Sequence, residues 1–317
     1  MTFSNSVSAH LATSALALAC LCVGWNSAQA DQSNSTAAPQ SILHEDTDDD
    51  ATGVLLRYDL KVGETIPYEV THVAKTKTSV RGNDEISNVR TVSRRHWKVV
   101  ERLENGNMVF DHVIDSVEMT QQTGDAEEIR WNSTSGEDPP PAFKLVAERI
   151  GRTLATITVD PRGEEIKREN HGGSEASLGM GSLTLHFPEK KMKPGDDWSV
   201  PREVRVRTDD GIAKIIKIRE VYTLKNVKTG VATLRIRSEP LTPIDKESVR
   251  AQVIQQLSNG TLRFDVDNGR MLEKQLDWDE NVVGFQGPTS AMEYRAKMTE
   301  SLIEAPTRTA ALRTQNQ

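Results

Sequence analysis

The sequence predicts a mainly β protein: a large curved antiparallel sheet or half-barrel made of two quasi-repeats, with two short helices. Three observations lead there. Apolar and polar residues alternate with period two along many segments, which suits strands that have one covered face and one wet face. Turn signals separate these segments, among them Asn105-Gly106, Thr229-Gly230 and Asp267-Asn268-Gly269. The order of segments also runs twice. LLRYDLKVGETIPYEV from Leu55 and LTLHFPEKKMKPGDDWSV from Leu183 each read as an alternating strand, a Lys-x-Gly-acid turn (Lys61 to Glu64, Lys193 to Asp196) and a second strand led by a large side chain, Ile66 or Trp198.

In the first half, strands are expected at 54–60 and 66–80, followed by a polar turn at Arg81-Gly82-Asn83-Asp84 and a long strand from Arg90 to Arg102. The Asn105-Gly106 hairpin returns the chain through Met108 to Met119, where Met108, Phe110, His112 and Ile114 share one face. A strand at 129–132 and the run Asp138-Pro139-Pro140-Pro141 lead into a helix, because Phe143, Val146, Ala147 and Ile150 fall at helical spacing. Strands at 154–159 and 165–169 then pair across Asp160-Pro161-Arg162-Gly163.

The second half repeats the plan. Strands are expected at 183–187 and 198–207, then an Asp209-Asp210-Gly211 turn, a strand at 212–224, the Thr229-Gly230 turn and a strand at 231–238. A helix over 245–257 presents Val249, Val253, Ile254 and Leu257 on one face and ends at Asn259-Gly260, which reads as a left-handed cap. Strands at 261–266 and 271–277 match the first half. A last strand through Met292, Tyr294, Ala296 and Met298 pairs back on residues 272–283. The two halves, 54–170 and 182–304, then make a single β-rich domain over 54–304, since each helix face is buried only by packing on the sheet.

The ends carry a different signal. The first thirty residues contain no Asp, Glu, Lys or Arg, and an apolar run from Leu11 to Val23 closes on the small-x-small site Ala28-Gln29-Ala30 before Asp31. That pattern reads as a secretory signal peptide over 1–30, cleaved near Ala30, and places the mature chain outside the cytoplasm, periplasmic or secreted. Acylation of Cys20 as a lipoprotein anchor is the alternative. Both cysteines, Cys20 and Cys22, lie in this segment, so a chain starting at Asp31 has no disulfide, thiolate ligand or cysteine nucleophile. Residues 31–53 are polar and acidic and are expected to form a disordered linker; 305–317 is expected to be a flexible tail.

Charge excludes one function class. The formal net charge is −7, but Asp31, Glu45, Asp46, Asp48, Asp49 and Asp50 all precede the first base, Arg57. Taking those six from 46 acids leaves 40 against 39 Lys and Arg, a near-neutral body unsuited to nucleic acid. Asp46-x-Asp48-x-Asp50 starts like a calcium loop but continues with Ala51 and Arg57 where Gly and Glu are needed.

The strand and helix plan looks like the lipoprotein-carrier half-barrels of the bacterial envelope. The phrase Lys193-Pro194-Gly195-Asp196-Asp197-Trp198, following Phe187-Pro188, resembles uncharacterised secreted β-rich bacterial proteins over most of 54–303. The resemblance is structural and implies no catalytic residue.

Chemical motifs are few. His171-Gly172-Gly173-Ser174 has the look of an esterase oxyanion loop, yet no Gly-x-Ser-x-Gly elbow accompanies it: Ser177 has Gly179 on one side and Glu175 on the other. Gly179-Met180-Gly181 precedes a strand, so it is no phosphate loop. His44, His72, His96, His112, His171 and His186 show no metal-ligand spacing, which leaves a metal assembled from distant strands, for example by His186 with Asp196 or Asp197, as the alternative to plain strand residues. Alternating basic pairs, Arg205/Arg207, Lys217/Arg219 and Arg235/Arg237, suit a solvated sheet face paired with acids such as Glu203 and Glu220, or a cationic strip for anionic headgroups. Aromatics make up only 5%, which disfavours a stacking groove for bases or sugars.

No catalytic, metal or cofactor residues are assigned, and no ligand-binding residue is singled out. The expected function is a non-catalytic secreted or periplasmic binding or structural protein, holding an apolar ligand such as a lipid or a lipoprotein acyl chain, or docking an envelope partner, without a transmembrane span in the mature chain. A secreted hydrolase with an acid pair or metal site is the alternative, recognisable by carboxylates or histidines converging in a cleft. Trp198 is expected to be buried in the core near a helix, with Pro201 interrupting its strand.

Overall fold

The computed structural model describes residues 53–171 and 183–304. The expected signal peptide 1–30 with Cys20, Cys22 and Ala30, the expected linker as far as residue 52, the Gly/Ser-rich stretch 172–182 and the expected tail from 305 lie outside the described residues.

Strands β1 (Thr65–Val80), β2 (Asn83–Arg102), β3 (Met108–Thr123), β4 (Ile129–Asn132), β5 (Thr153–Val159), β6 (Glu165–Asn170), β7 (Asp197–Arg207), β8 (Ala213–Lys228), β9 (Val231–Pro240), β10 (Asn259–Asp265), β11 (Arg270–Val283) and β12 (Ala291–Leu302) build one antiparallel sheet. The 12 strands run in the order β6-β5-β3-β2-β1-β12-β11-β10-β9-β8-β7, with β4 paired to β3 outside that path. Helix α1 (Lys144–Ala147) follows a 3-10 turn at Pro141–Phe143, and α2 (Glu247–Val253) runs into another at Ile254–Gln256. The fold is therefore the large curved antiparallel sheet with two short helices, left open and not closed into a barrel. In sheet order β6-β5-β3-β2-β1 is followed, after β12, by β11-β10-β9-β8-β7. β12 pairs with β1 as well as with β11, a partner that local pattern could not reveal because it lies more than two hundred residues away.

The sheet curls so that its two ends approach one segment of chain. His186 and Phe187 are neighbours in sequence: Phe187 N donates to Arg162 O in the β5–β6 turn at 2.8 Å, while Trp198 Nε1 of β7 donates to His186 O at 2.9 Å. The two edges are bridged by a strap and not by a ladder. The inner face carries the core, which joins Ile66, Tyr68, Trp97, Phe110 and Ile157 from one side of the sheet to Leu224, Leu234, Phe264 and Met271 from the other. Helix α1 and its preceding turn seat Phe143 against Val117, Met119 and Trp131; α2 lays Val249 and Val253 on Val206, Ile216 and Ile218.

Three expectations need correction. Residues 54–60 and 183–187 are extended but form no strands: their backbone groups bond to turns, Tyr58 N to Pro161 O at 2.7 Å and Asp59 N to Gly269 O at 3.1 Å, with a lone bridge between Val54 and Met192. Their period-two faces, Leu56, Tyr58, Leu60 and Leu183, Leu185, Phe187, are all buried and plug one end of the curl. Asn259 and Gly260 are not a helix cap, because both belong to β10; a Cβ on Gly260 would stand 2.0 Å from Gln275 O, so close strand packing requires the glycine. Trp198 is half-buried instead of fully buried, since β7 is an edge strand, and it stacks on Tyr222 at 5.3 Å.

Candidate functional site

Antiparallel register sets the inner-face side chains in rows across β2, β1, β12 and β11. Thr91, His72, Met298 and Leu276 form one row, and Val89, Ala74, Ala296 and Trp278 form the next. On the other side of the first row stand Ser93, Val70, Glu300 and Lys274. Helix α1 covers the β3–β4 side of this face and α2 covers the β7–β8 side. Between them Val70, His72, Thr91, Ser93 and Met298 remain half-buried, forming the floor of a trough. His72 meets Trp278 edge-on at 6.3 Å, and Trp278 Nε1 donates to Gln255 O at 3.0 Å, which ties the α2 end to the trough wall.

The trough ends at buried charge. Arg95 of β2 reaches over β1 and donates to Glu300 Oε1, while Lys274 Nζ stands 3.1 Å from Glu300 Oε2. Burial alone would raise the Glu300 carboxyl, but the Arg95 and Lys274 charges overcome it and hold the group at about 2. Next to Arg95, His112 is fully buried with neither ring nitrogen hydrogen-bonded, and burial, helped by the Arg95 charge, pushes its pKa well below the ordinary range. At neutral pH this imidazole is neutral.

A second buried pair faces the first. Arg202 Nη2 lies 3.0 Å from Glu220 Oε1, and the Tyr222 hydroxyl donates to the same carboxylate. Burial and then the Glu220 charge push the Tyr222 phenol well up. Between the two pairs sits a cavity of about 30 Å³, lined by Lys274, Glu220, Tyr222, Thr184, Ile236 and Leu276 among others. A broader, shallow cleft of about 430 Å³ lies between α2 and the β11–β12 loop, lined by Lys246, Ser248 and Phe285.

The residues singled out from the sequence lie elsewhere. His186 Nε2 is 3.7 Å from Glu164, and Asp196 Oδ2 accepts from Lys193 N at 2.8 Å as a turn bond; they do not converge on a metal site, and no group of three metal-ligating side chains occurs among the described residues. His171 Nε2 hydrogen-bonds Thr156 Oγ1 at 2.8 Å, whereas Ser174 and Ser177 fall outside the described residues. Arg205, Arg207, Lys217, Arg235 and Arg237 are exposed on the outer face, and Glu239 serves Arg219 at 2.8 Å and Arg237 at 2.5 Å. Glu220 is not their partner: period two puts it on the inner face with Ile218 and Tyr222, where it pairs with Arg202. The interior ions were legible in one respect only. Glu300 continues the inner-face alternation Met292, Tyr294, Ala296, Met298, so a carboxylate had to be buried there or the strand had to end.

No family model matches the sequence, and no curated protein matches it either. Among solved structures the chain is similar to lipovitellin, in a structure titled for its lipid–protein interactions, at 11% identity and a TM-score of 0.43, covering 78% of this chain and 26% of that one. It is also similar to an outer membrane channel from Pseudomonas putida F1, at 7% identity and a TM-score of 0.24, covering 82% of this chain and 100% of that one. The chain thus spans about a quarter of the lipovitellin chain. No helix among the described residues is long and apolar enough to cross a membrane.

Proposed function

We propose that this is a non-catalytic extracytoplasmic binding protein whose trough between α1 and α2 holds an apolar ligand, a lipid or an acyl chain. One observation carries the reading: the inner-face row Val89, Ala74, Ala296 and Trp278 is apolar and adjoins Met298 and Leu276 of the next row, and the helices leave Met298 and His72 half-buried. A trough of this kind supplies apolar area for an alkyl chain. Glu300, the carboxylate at its end, is held ionised far below neutral pH by two cations, which suits it poorly to acid or base catalysis near pH 7. The proposal includes export through the 1–30 signal and a single domain over 54–304 made of two related halves, for which the repeated strand order is the support.

Full-length chain, exported and purified from its own compartment, is extracted with organic solvent and the extract analysed by mass spectrometry. The ligand-free protein is then titrated with dodecanol while tryptophan fluorescence is recorded. Saturable change that disappears in Trp278→Phe is expected. A lipid-free extract together with no response to dodecanol overturns the reading.

A further inference from the structure

The outer face of the sheet carries charge that the trough does not use. On β7, on β8 as far as Thr223 and on β9, period two turns six cations outward, Arg205, Arg207, Lys217, Arg219, Arg235 and Arg237, against three acids, Asp197, Glu203 and Glu239. Glu239 takes Arg219 at 2.8 Å and Arg237 at 2.5 Å, and Glu203 stands opposite Lys217 in the β7–β8 register. No acid among the described residues lies within ion-pair distance of Arg205, Arg207, Lys217 or Arg235. The β7–β8 turn and the approach to α2 add the acids Asp209, Asp210 and Asp245 against the bases Lys214 and Lys246, and Glu247 pairs with Arg250 at 3.2 Å, so the region stays positive.

The neighbouring strands do not continue this strip. Arg263, outward on β10, is matched by Glu273 at 3.7 Å, and β11 turns Asp277 and Asp279 outward. Positive charge is thereby concentrated toward the β7 edge of the sheet. Two apolar side chains stand among the cations. Ile215 lies opposite Arg205 and is 44% exposed; Leu241 continues the outward alternation of β9, with its N–H donating to Lys217 O at 2.8 Å, and is 49% exposed. Bases set around exposed alkyl groups match the boundary of an anionic bilayer, where the bases meet headgroups and the alkyl groups enter the interfacial layer. Nucleic acid or an acidic glycan would match the cations alone and leave Ile215 and Leu241 in water.

We propose that the outer face of β7–β9 docks on the surface of an anionic phospholipid bilayer. Arg205, Arg207, Lys217 and Arg235 supply the attraction, and Ile215 and Leu241 supply the apolar contact. The assignment uses no residue of the trough, so it stands or falls apart from the apolar-ligand reading.

The full chain is mixed with phosphatidylcholine vesicles containing about one-third phosphatidylglycerol, and separately with vesicles of phosphatidylcholine alone, and binding is read by cosedimentation. Binding is expected on the anionic vesicles at low salt, weakening steeply as salt approaches about 0.5 M, and none on the neutral vesicles. The pair Arg205→Gln, Arg235→Gln should lower the affinity about twenty-fold, at about five-fold per base, with the melting temperature unchanged because both side chains are exposed. The pair Lys75→Gln, Lys98→Gln makes the same change in net charge at exposed positions on β1 and β2 and should bind as the native chain does. Ile215→Ser, Leu241→Ser should also weaken binding; if it binds the vesicles as tightly as the native chain, the strip serves an acidic macromolecule and not a bilayer. Equal binding to neutral and anionic vesicles, no binding to either, or equal losses in the two glutamine pairs overturns the proposal.

Discussion

The side-chain amide of Gln252 closes the free edge of the sheet at Arg207, donating from Nε2 to Arg207 O at 2.7 Å and accepting from Arg207 N at 2.9 Å. An α2 side chain thereby stands in for the next strand. Because outward-facing backbone alternates along β7, the odd residues 197–207 point to the free edge, and Pro201 falls among them with no N–H to offer. Two breaks in one edge leave too few consecutive groups to template another chain. Gln252→Ala alone should lower stability by about 1 kcal/mol, since the contact is exposed. The double variant Gln252→Ala, Pro201→Val restores a continuous edge and should self-associate with concentration in light scattering. A double variant that stays monomeric at all concentrations refutes this account.

Close approach, more than turn geometry, fixes two of the glycines. Gly163 has φ 83° and a Cβ there would stand 2.1 Å from Leu185 O; Gly269 has φ 59° and a Cβ would stand 2.4 Å from Asp59 N. Both meet the extended plug segments, so an added methyl must push the plug off the end of the core. Gly163→Ala and Gly269→Ala are each expected to cost more than about 3 kcal/mol in denaturant unfolding. Gly63, with φ 83° and nothing within 4 Å of its missing Cβ, is the control and should cost only about 1 to 2 kcal/mol as Ala. Equal losses at all three positions would mean that backbone strain alone, and not the plug contact, is responsible.

Acid should destabilise the fold in two separate windows. His112 is neutral in the native state, with its pKa pushed below 6.5; as pH falls through 6.5 the unfolded chain gains a proton that the native chain refuses, so stability declines from there downward. His112→Leu should remove much of the slope between pH 7 and 5, at little or no loss of stability at pH 7, because two unpaired buried nitrogens go with it. Glu300 acts later: its carboxyl, ordinarily near 4.5, is at about 2 in the fold, so the stability it contributes is complete above 4.5 and lost as pH falls toward 2. Urea midpoints measured from pH 8 to 3 resolve both windows, and an unchanged slope in His112→Leu contradicts the assignment.

The alternating segments and turn signals located the strands because each strand has one buried face, and the helix faces were legible for the same reason: Phe143, Val146, Ala147 and Ile150 do pack together. Pairing was less legible. β12 lies between β1 and β11, and no local feature of Met292–Met298 names Tyr68 to Ser79 as its second partner. The candidate site was missed for a related reason. Arg95, Lys274, Glu300 and Glu220 come from β2, β11, β12 and β8, and each looks like one more surface charge until the inward parity of its strand is known. Plug segments 54–60 and 183–187 carry the strand pattern because they too bury one face, although turns and not strands satisfy their backbone.

Trp198 joins that plug to the edge strand. Its ring lies 5.3 Å from Tyr222 in a stacked pair and 6.2 Å from Phe187, and its Nε1 donates to His186 O at 2.9 Å, so one side chain fastens β7 to the strap that bridges the two ends of the sheet. Because the indole is half-buried, Trp198→Ala should cost about 3 kcal/mol, the low end for a large aromatic. Trp198→Phe keeps the stacking and loses the hydrogen bond, leaving His186 O to water, and should cost about 1 kcal/mol. Hydrogen exchange should localise the loss to β7 and residues 183–192, since these lose their shared anchor while β1 and β12 keep theirs. If Trp198→Ala unfolds at the native midpoint but binds dodecanol more weakly, the indole belongs to a binding surface and not to the strap.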